Sequence, residues 1–411
     1  MSDSIFVGVD VSAKSNKVCI LEASGSRLAK MSVLNNSQGA SQIVNRVIDT
    51  LSKTGCTKVS FGLEATSVYG DGLIFYLKQD KSLKNYDTKV FLLNPKQVHN
   101  FKKAYSDLPK TDDVDAWVIA DCLRFGRINL RETYFDEQYK ALQRLTRARY
   151  YVAQNIVREK NRYLANLFLK FSGLYQENLF SDKFGATAME LSNGAFSLDE
   201  IVHMPIDKLA QFINTSGKGK FADPKALAAD IQKAARSSYR LPKTVEDSVN
   251  RILAVSTVSI QSYLDQLKSL DKSISALMET IPNTLTSIKG VGPVYAAGIL
   301  SEIGSINRFK DQASLAKYAG LSWSRYQSGN FDADNTRMIN SGNRYLRYYL
   351  IEAANLVRRH DPEFKRFYEL KYRETPTTPH KRALALTARK FVRLVYALLR
   401  DQRLYIPSRA E

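Results

Sequence analysis

Short apolar runs separated by turn-forming residues dominate the first hundred positions of the chain. IFVGVDV, KVCILEA and RLAKMSVL come one after another, and KVSFGLEA and TKVFLLN follow with helical patterns between them. These runs predict three consecutive strands of a meander, followed by alternating helices and strands. The helices are expected near residues 38–52, 68–77, 96–105 and 112–125. The pattern predicts an α/β domain with a mixed sheet.

Near residue 138 the apolar spacing changes to three, four or seven. It continues to Tyr175, and a second such run extends from Ile260 to Leu277. Two long amphipathic helices are therefore expected, which either pair as a coiled coil, within one chain or between two, or act as ordinary bundle helices. The chain beyond residue 280 is again mostly helical. The predicted division is an α/β domain at 1–130, a helical coiled-coil region at 131–280 with a helical insert near 177–243, and a mostly α-helical C-terminal domain at 281–411.

The charge of the chain indicates a class of partner. The chain has 411 residues, 44% of them hydrophobic, and a formal net charge of +19. This balance is typical of a globular protein that binds a polyanion, either nucleic acid or an acidic membrane surface. Residues 336–411 hold 17 basic and 7 acidic residues, a net +10, so most phosphate contacts are expected there. With no signal peptide and no bilayer-spanning apolar run, a cytoplasmic protein is expected.

A concentration of acid stands out against this basic background. Residues 110–124 read KTDDVDAWVIADCLR and contain four aspartates. On a helix that starts at this point, Asp112 and Asp115 share one face and Asp113 points elsewhere. The alternative is a solvated first turn whose acids merely favour the helix dipole.

Two further acids change that balance, because each lies at the end of an apolar strand. Asp10 follows VGV and Glu64 follows FGL, and isolated acids are costly in such places unless they are paired or bound to metal. If the two strands are neighbours, Asp10, Glu64, Asp112 and Asp115 can converge. Such a cluster would hold one or two Mg²⁺ ions, which can clamp the oxygens of a phosphodiester.

The order of these acids resembles that of the ribonuclease-H-like fold in RuvC-type junction resolvases. More specifically, VGVDVSAKSNKVCI, GLEATSVYG, NPKQVHNF and KTDDVDAWVIAD resemble the N-terminal motifs of DEDD-type transposases of bacterial insertion sequences, the insertion-sequence 110/1111 group. Piv-type DNA invertases are relatives of that family. The resemblance implies that the four catalytic acids are Asp10, Glu64, Asp112 and Asp115.

The C-terminal region resembles the transposase domain of the same family, through SIKGVGPVYAAGILSEIG, YQSGN and SGNRYLRYYLIEAA. The resemblance implies a catalytic serine, Ser328. GVGP is typical of a phosphate-binding turn or of a plain helix packing joint, and SGNRYLR of a nucleic-acid contact or of core tyrosines beside solvated arginines. The predicted nucleic-acid-binding residues are Gly290, Gly292, Asn343, Arg344, Arg347, Lys381 and Arg382.

The resemblance implies a DNA transposase that cuts and rejoins strands with Mg²⁺ through a phosphoserine intermediate. It also implies donor and target DNA, an element-encoded bridge RNA as guide, and a homo-oligomer from dimer to tetramer, near the bacterial nucleoid and without a membrane. Three alternatives stay open: a hydrolytic nuclease or junction resolvase, a Piv-like invertase without a guide, and a non-enzymatic nucleic-acid-binding protein.

Overall fold

The chain divides into two compact units, residues 1–135 and 136–411. The computed structural model gives the backbone alone for residues 112, 194–195, 327–328 and 331–332. The residues that it describes are 3–65, 68–105, 112–126, 136–323, 327–328, 331–332, 338, 341–375 and 377–407.

A five-stranded mixed sheet forms the centre of the first unit. The strand order is β3-β2-β1-β4-β5. β2 is antiparallel to both of its neighbours, β1 and β3, and β4 and β5 are parallel to β1. This confirms the predicted α/β domain with a mixed sheet. The elements are β1 (Ser4–Val11), β2 (Ser15–Glu22), β3 (Arg27–Leu34), α1 (Ser37–Thr54), β4 (Lys58–Glu64), α2 (Asp71–Gln79), β5 (Asp87–Leu93), α3 (Pro95–Lys102) and α4 (Asp112–Phe125).

Alternation along the strands gives each face of the sheet its own helices. Val7 and Val9 of β1 belong to one core, which α1 and α2 complete. Cys19 and Leu21 of β2 belong to the other side, where α4 packs on the sheet. Because side chains alternate along a strand, Gly8 and Asp10 face the α4 side.

Two helix bounds in this unit differ from the prediction by three residues, and the other bounds of α1 to α3 by one or two. α2 begins at Asp71 rather than at residue 68, directly after Gly70, the N-cap residue. α3 ends at Lys102 rather than at residue 105, and its start is fixed by the side chain of Asn94, which accepts a hydrogen bond from Lys96 N. By contrast, α4 has the bounds that were predicted.

The second unit is almost entirely helical where it is described. A hairpin of two-residue strands, β6 (Gln327–Ser328) and β7 (Phe331–Asp332), interrupts the helices. The helices are α5 (Glu137–Lys170), α6 (Ser172–Gln176), α7 (Ala186–Glu190), α8 (Leu198–His203), α9 (Ile206–Ser216), α10 (Pro224–Ser237), α11 (Lys243–Met278), α12 (Pro293–Ile303), α13 (Gln312–Ala319), α14 (Arg344–His360), α15 (Pro362–Arg373) and α16 (Pro379–Asp401).

The two predicted long helices, α5 and α11, pack against each other within the chain. Gln138 near the start of α5 is hydrogen-bonded to Thr280 just beyond α11, and Arg149 forms an ion pair with Asp271, so the helices are antiparallel. Two bounds were predicted wrongly. α5 stops at Lys170 because Phe171 leaves helical geometry, and α11 begins at residue 243, far upstream of the second predicted run.

Two hydrophobic cores lie along this helix pair. One is built by α5, the short helices α6 to α10 and the first half of α11. The other gathers the end of α11 with α12 to α16. No helix in the described ranges is both long and apolar enough to cross a bilayer. The predicted three-part division of the chain stays a prediction.

Candidate active site

Asp10 and Glu64 lie next to each other at one edge of the sheet. β1 and β4 are parallel neighbours, and their register pairs Val9 with Leu63, so the acids that follow occupy the carboxyl ends of adjacent strands. Both acids are half-buried. The predicted convergence of these two strand ends is therefore present in the structure.

A pair of glycines brings α4 onto the same strands. Gly8 and Gly62 are register partners on β1 and β4. A Cβ on Gly8 would come within 3.0 Å of backbone atoms of Ala116 and Ala120, and one on Gly62 would lie 2.6 Å from Leu123 Cδ1. The helix therefore rests directly on the strand backbones. Because the acids follow two residues after the glycines, they face the same helix.

Asp115 completes a group of three acids that act on one another. Burial raises the pKa of the Glu64 carboxyl, and the charges of Asp10 and Asp115 raise it further. Like charges raise a carboxyl pKa only when they are close in space. Asp115 therefore lies within electrostatic reach of the two strand ends, although more than fifty residues separate it from Glu64 in the chain.

The acids of the first turn of α4 point in different directions. Asp115 accepts a hydrogen bond from Lys102 Nζ at 2.6 Å. Asp113 pairs instead with Lys30 of β3 at 2.7 Å, and this hydrogen bond lowers the pKa of its carboxyl. Asp113 thus points away from the Asp115 side, as predicted. The side chain of Asp112 lies outside the described residues.

The chemistry of these side chains suits a divalent cation. Carboxylate oxygens are the ligands that Mg²⁺ prefers, and carboxylates whose charges lie close together are stabilised by a shared cation. Within the described residues, no three His, Cys, Asp or Glu side chains gather closely enough to hold a metal ion. Asp112 does not enter that comparison, and Lys102 holds Asp115. The residues fit the ion in kind, and the Lys102 ammonium competes with it for Asp115.

Two supports of this site were not predicted from the sequence. Asn35 Nδ2 donates to Ser12 O at 2.9 Å and to Tyr69 O at 3.1 Å, which ties together the loops that follow β1 and β4. Buried Asp121 accepts hydrogen bonds from Tyr105 and from Arg124, at 2.6 Å for the latter, which fixes the body of α4. In the sequence Asn35 has only the signature of a turn residue, and Asp121 that of a surface acid.

The predicted GVGP site has the features of a packing joint at its first glycine. Gly290 has φ +100°, and a Cβ there would lie 3.1 Å from Leu356 C and His360 Cδ2. Gly292 is extended, precedes α12 and has open space around it. Gly292 is exposed, whereas Gly290 is half-buried.

The predicted residues of SGNRYLR serve different purposes. Asn343 accepts hydrogen bonds from Tyr345 N and Leu346 N and donates to Glu302 Oε2 at 2.7 Å, so its side chain is used within the fold. Arg344 is exposed and donates to the hydroxyls of Tyr151 and Tyr345 at 2.8 and 3.0 Å.

Arg347 lies deeper than its neighbour Arg344. Its Nη1 is buried and has no hydrogen-bond partner among the described residues. Lys381 and Arg382 lie in the first turn of α16, the former exposed and the latter half-buried. Nucleic-acid binding by these residues stays a prediction.

Ser328 lies on β6, where it pairs with Phe331 of β7. Its side chain lies outside the described residues. The hairpin follows α13 and precedes α14, in the second unit of the chain. The role of Ser328 as a nucleophile stays a prediction.

Comparison with known proteins gives matches in both units. A family model described as transposase, of the DEDD type of IS110, matches residues 7–171, and a second, described as transposase of the IS116/IS110/IS902 family, matches residues 283–369. The uncharacterized 44.8 kDa protein of insertion element IS116 from Streptomyces clavuligerus is 26% identical over 99% of this chain and 97% of its own length.

Two further relatives and one solved structure are also similar. The uncharacterized 43.6 kDa protein of IS110 from Streptomyces coelicolor is 27% identical over 77% of each chain. The pilin gene-inverting protein of Moraxella bovis is 28% identical over 35% of this chain and 47% of its own. The structure of T. thermophilus RuvC in complex with a Holliday junction substrate matches 30% of this chain and 96% of that one, with 14% identity and a TM-score of 0.22.

Proposed function

Because this chain belongs to the transposase family of the IS110 group of insertion elements, we propose that it cuts and rejoins DNA strands at Asp10, Glu64, Asp112 and Asp115, which hold Mg²⁺. The observation that carries the proposal is the electrostatic coupling of Glu64 to Asp10 and Asp115 at the carboxyl ends of β1 and β4. In a chain of net charge +19, three carboxylates that interact in this way can hold a cation against a phosphate group.

The four carboxylates would be the ligands of one or two Mg²⁺ ions. Bound there, Mg²⁺ supplies a Lewis acid that polarises the phosphodiester and stabilises the charge of the displaced oxygen. The protein's own contribution is to hold the carboxylates. The packing of α4 on Gly8 and Gly62 sets the position of Asp115, and Asn35 holds the loops after the two strands.

We further propose that Ser328 is the nucleophile. Its oxygen would attack a DNA phosphate, so that the bond to phosphorus forms while the bond to one deoxyribose oxygen breaks. The serine gives up its proton and the displaced deoxyribose oxygen takes one up, which leaves a strand with a free hydroxyl. A hydroxyl of the partner strand would then displace the serine and restore a phosphodiester. The support for this step is the resemblance of YQSGN to the family motif, together with the match of the second family model over residues 283–369.

The partners of the reaction are part of the same proposal. DNA is the substrate, as donor and as target, and an element-encoded bridge RNA selects the sites. Residues 336–411, with a net charge of +10, would supply many of the phosphate contacts. The active protein would be a dimer or tetramer acting at the nucleoid, as the resemblance to the family implies.

One alternative has an observation of its own. The match to a pilin gene-inverting protein over 35% of the chain favours a recombinase that inverts DNA. In this alternative no guide RNA takes part. Purification of the full chain from its host, followed by sequencing of bound RNA, separates the two. A discrete RNA of defined sequence supports the guided recombinase, and recombination by protein free of RNA supports the invertase.

Denaturing electrophoresis after incubation with element-end DNA, Mg²⁺ and any co-purified RNA tests the reaction itself. Wild-type protein should give cut DNA and a covalent protein–DNA adduct. Ser328→Ala should bind DNA but give neither product, and Asp10→Asn should be equally inactive. If Ser328→Ala still cuts DNA, water is the nucleophile and the protein is a hydrolytic nuclease.

A further inference from the structure

Lys102 places a positive charge on one member of the acidic group. Its Nζ lies 2.6 Å from Asp115 Oδ1. The lysine side chain is 22% exposed and that of Asp115 is 39% exposed, so the pair is partly shielded from water. Asp115 is also one of the acids whose charge raises the pKa of Glu64. The Lys102 ammonium thus contacts a carboxylate oxygen that the proposed function assigns to a metal ion.

The position of Lys102 follows from packing. α3 begins at Pro95 under the cap of Asn94, and its apolar face joins the side of the sheet that α4 covers, where Val98 is buried and Phe101 half-buried. Lys102 is the residue next to Phe101 and the last of the helix. Because the packing of α3 fixes where the lysine stem begins, its ammonium is directed to Asp115 by the fold.

The negative charges around this ion pair explain why a lysine is favourable there. Burial raises the pKa of Glu64, and the charges of Asp10 and Asp115 raise it further, so the three carboxylates lie close enough to repel one another. A group of acids without a bound cation is stabilised by a positive side chain at one of them. A divalent ion that binds the same group needs the Asp115 oxygen on which the ammonium sits.

We propose that Lys102 is a counter-ion that holds Asp115 in the metal-free protein and competes with the divalent cation for it. This inference rests on the proposed function, in which the carboxylates bind the metal. Lys102 is accordingly a positioning residue for Asp115: it keeps the carboxylate in place before loading and must release it when the cation arrives. Its removal should therefore tighten metal binding.

The test is a titration of the full chain with Mn²⁺, in which electron paramagnetic resonance measures the concentration of the free ion. In Lys102→Met the Kd for Mn²⁺ should fall about fivefold, the factor that corresponds to a partly exposed ion pair. Lys102→Gln should give a similar change, and Lys102→Arg, which keeps the charge, should remain near wild type.

Lys30→Met is the matched control. It removes one lysine from another ion pair of the same helix turn, the 2.7 Å contact with Asp113, and lowers the net charge equally. Because Asp113 points away from the Asp115 side, the Mn²⁺ affinity should stay within about twofold of wild type. A tightening in Lys30→Met as large as in Lys102→Met would mean that overall charge, and not competition at Asp115, sets the affinity.

The outcomes separate this inference from the function beneath it. Mn²⁺ binding that Asp10→Asn abolishes supports the metal site. If that binding is present and the Lys102 variants bind Mn²⁺ with unchanged or weaker affinity, the competing role of Lys102 is wrong while the proposed function stands. If wild-type protein has no Mn²⁺ site that depends on Asp10, both are wrong. Urea unfolding of each variant confirms that the comparison is between folded proteins.

Discussion

The contact of α4 with Gly8 gives the sharpest structural prediction. A Cβ added to Gly8 would come within 3.0 Å of backbone atoms of Ala116 and Ala120, whereas ordinary contact begins at 3.4 Å. Backbone cannot rotate out of the way as a side chain can. In Gly8→Ala, α4 has to move outward by about 1 Å, a shift that a close-packed interior does not absorb freely. We expect a loss of about 2–3 kcal/mol in the free energy of unfolding, the upper part of the range for overpacked cores.

The same shift should reach the chemistry, because α4 carries Asp115 and is held on the strands of Asp10 and Glu64. A displacement of about 1 Å in a catalytic group costs on the order of 100-fold in rate. Gly8→Ala should therefore lose about two orders of magnitude in DNA cleavage under conditions where it is fully folded. Urea unfolding measures the stability, and single-turnover cleavage of element-end DNA measures the rate.

Substitutions at two other glycines are expected to have smaller effects on stability than Gly8→Ala, and they serve as comparisons. At Gly62 the added Cβ meets the side chain of Leu123, which can turn aside, so Gly62→Ala should lose about 1 kcal/mol. At Gly72 in α2 nothing lies within 4 Å, so Gly72→Ala should keep activity and gain up to about 1 kcal/mol. If Gly8→Ala is as stable and as active as Gly72→Ala, α4 is not held on the strand backbone in the way described.

Three further predictions concern buried charge, each measured by urea unfolding. The Glu302 carboxylate is fully buried and paired with Arg147 at 2.6 and 2.9 Å; Glu302→Ala should cost about 3–5 kcal/mol because Arg147 is left unpaired, and a loss below 1 kcal/mol would contradict this. Glu64 has a raised pKa, so its contribution to stability is complete below its unfolded-state pKa and is lost as pH rises through the folded-state pKa. In metal-free buffer, Glu64→Gln should not show this loss of stability with rising pH. A pH profile of stability equal to that of wild type would refute the prediction. The buried Lys170 ammonium donates a hydrogen bond to Ser192 O at 2.9 Å, and burial lowers its pKa to about 8. Its contribution to stability is therefore complete above the unfolded-state pKa and falls as pH drops through 8. Lys170→Met should be about 2–3 kcal/mol more stable at pH 7, and a less stable variant would show that the hydrogen bond to Ser192 O dominates.

The secondary structure of the first unit could be predicted closely because local signals agreed with the tertiary fold. Each strand is an apolar run with turn residues on both sides, and α4 begins after Pro109, Lys110 and Thr111. The start of α11 could not be found in the same way. Its first half is buried at Val249, Leu253 and Ser256 against the short helices and α5, and a buried serine interrupts the apolar periodicity that sequence reasoning needs.

In the candidate site, too, some residues could be predicted from the sequence and others could not. An acid at the end of an apolar strand is visible in sequence because its burial is costly without a partner, which is why Asp10 and Glu64 could be predicted to converge. Lys102 and Asn35 could not, since a lysine at a helix end and an asparagine in a turn are ordinary surface residues until the packing of α3 and of two loops gives them their contacts.

The tyrosines of SGNRYLRYY give the most direct case of one motif with two outcomes. Tyr349 is fully buried and donates to Thr146 O at 2.7 Å, whereas Tyr345, four residues earlier, lies beside exposed Tyr151 with Arg344 at both hydroxyls. Residues four apart lie on the same side of a helix, so periodicity gives both the same environment. What separates them is that Tyr349 lies one turn further into α14, between α5 and α12, while Tyr345 lies in the first turn, where that packing begins.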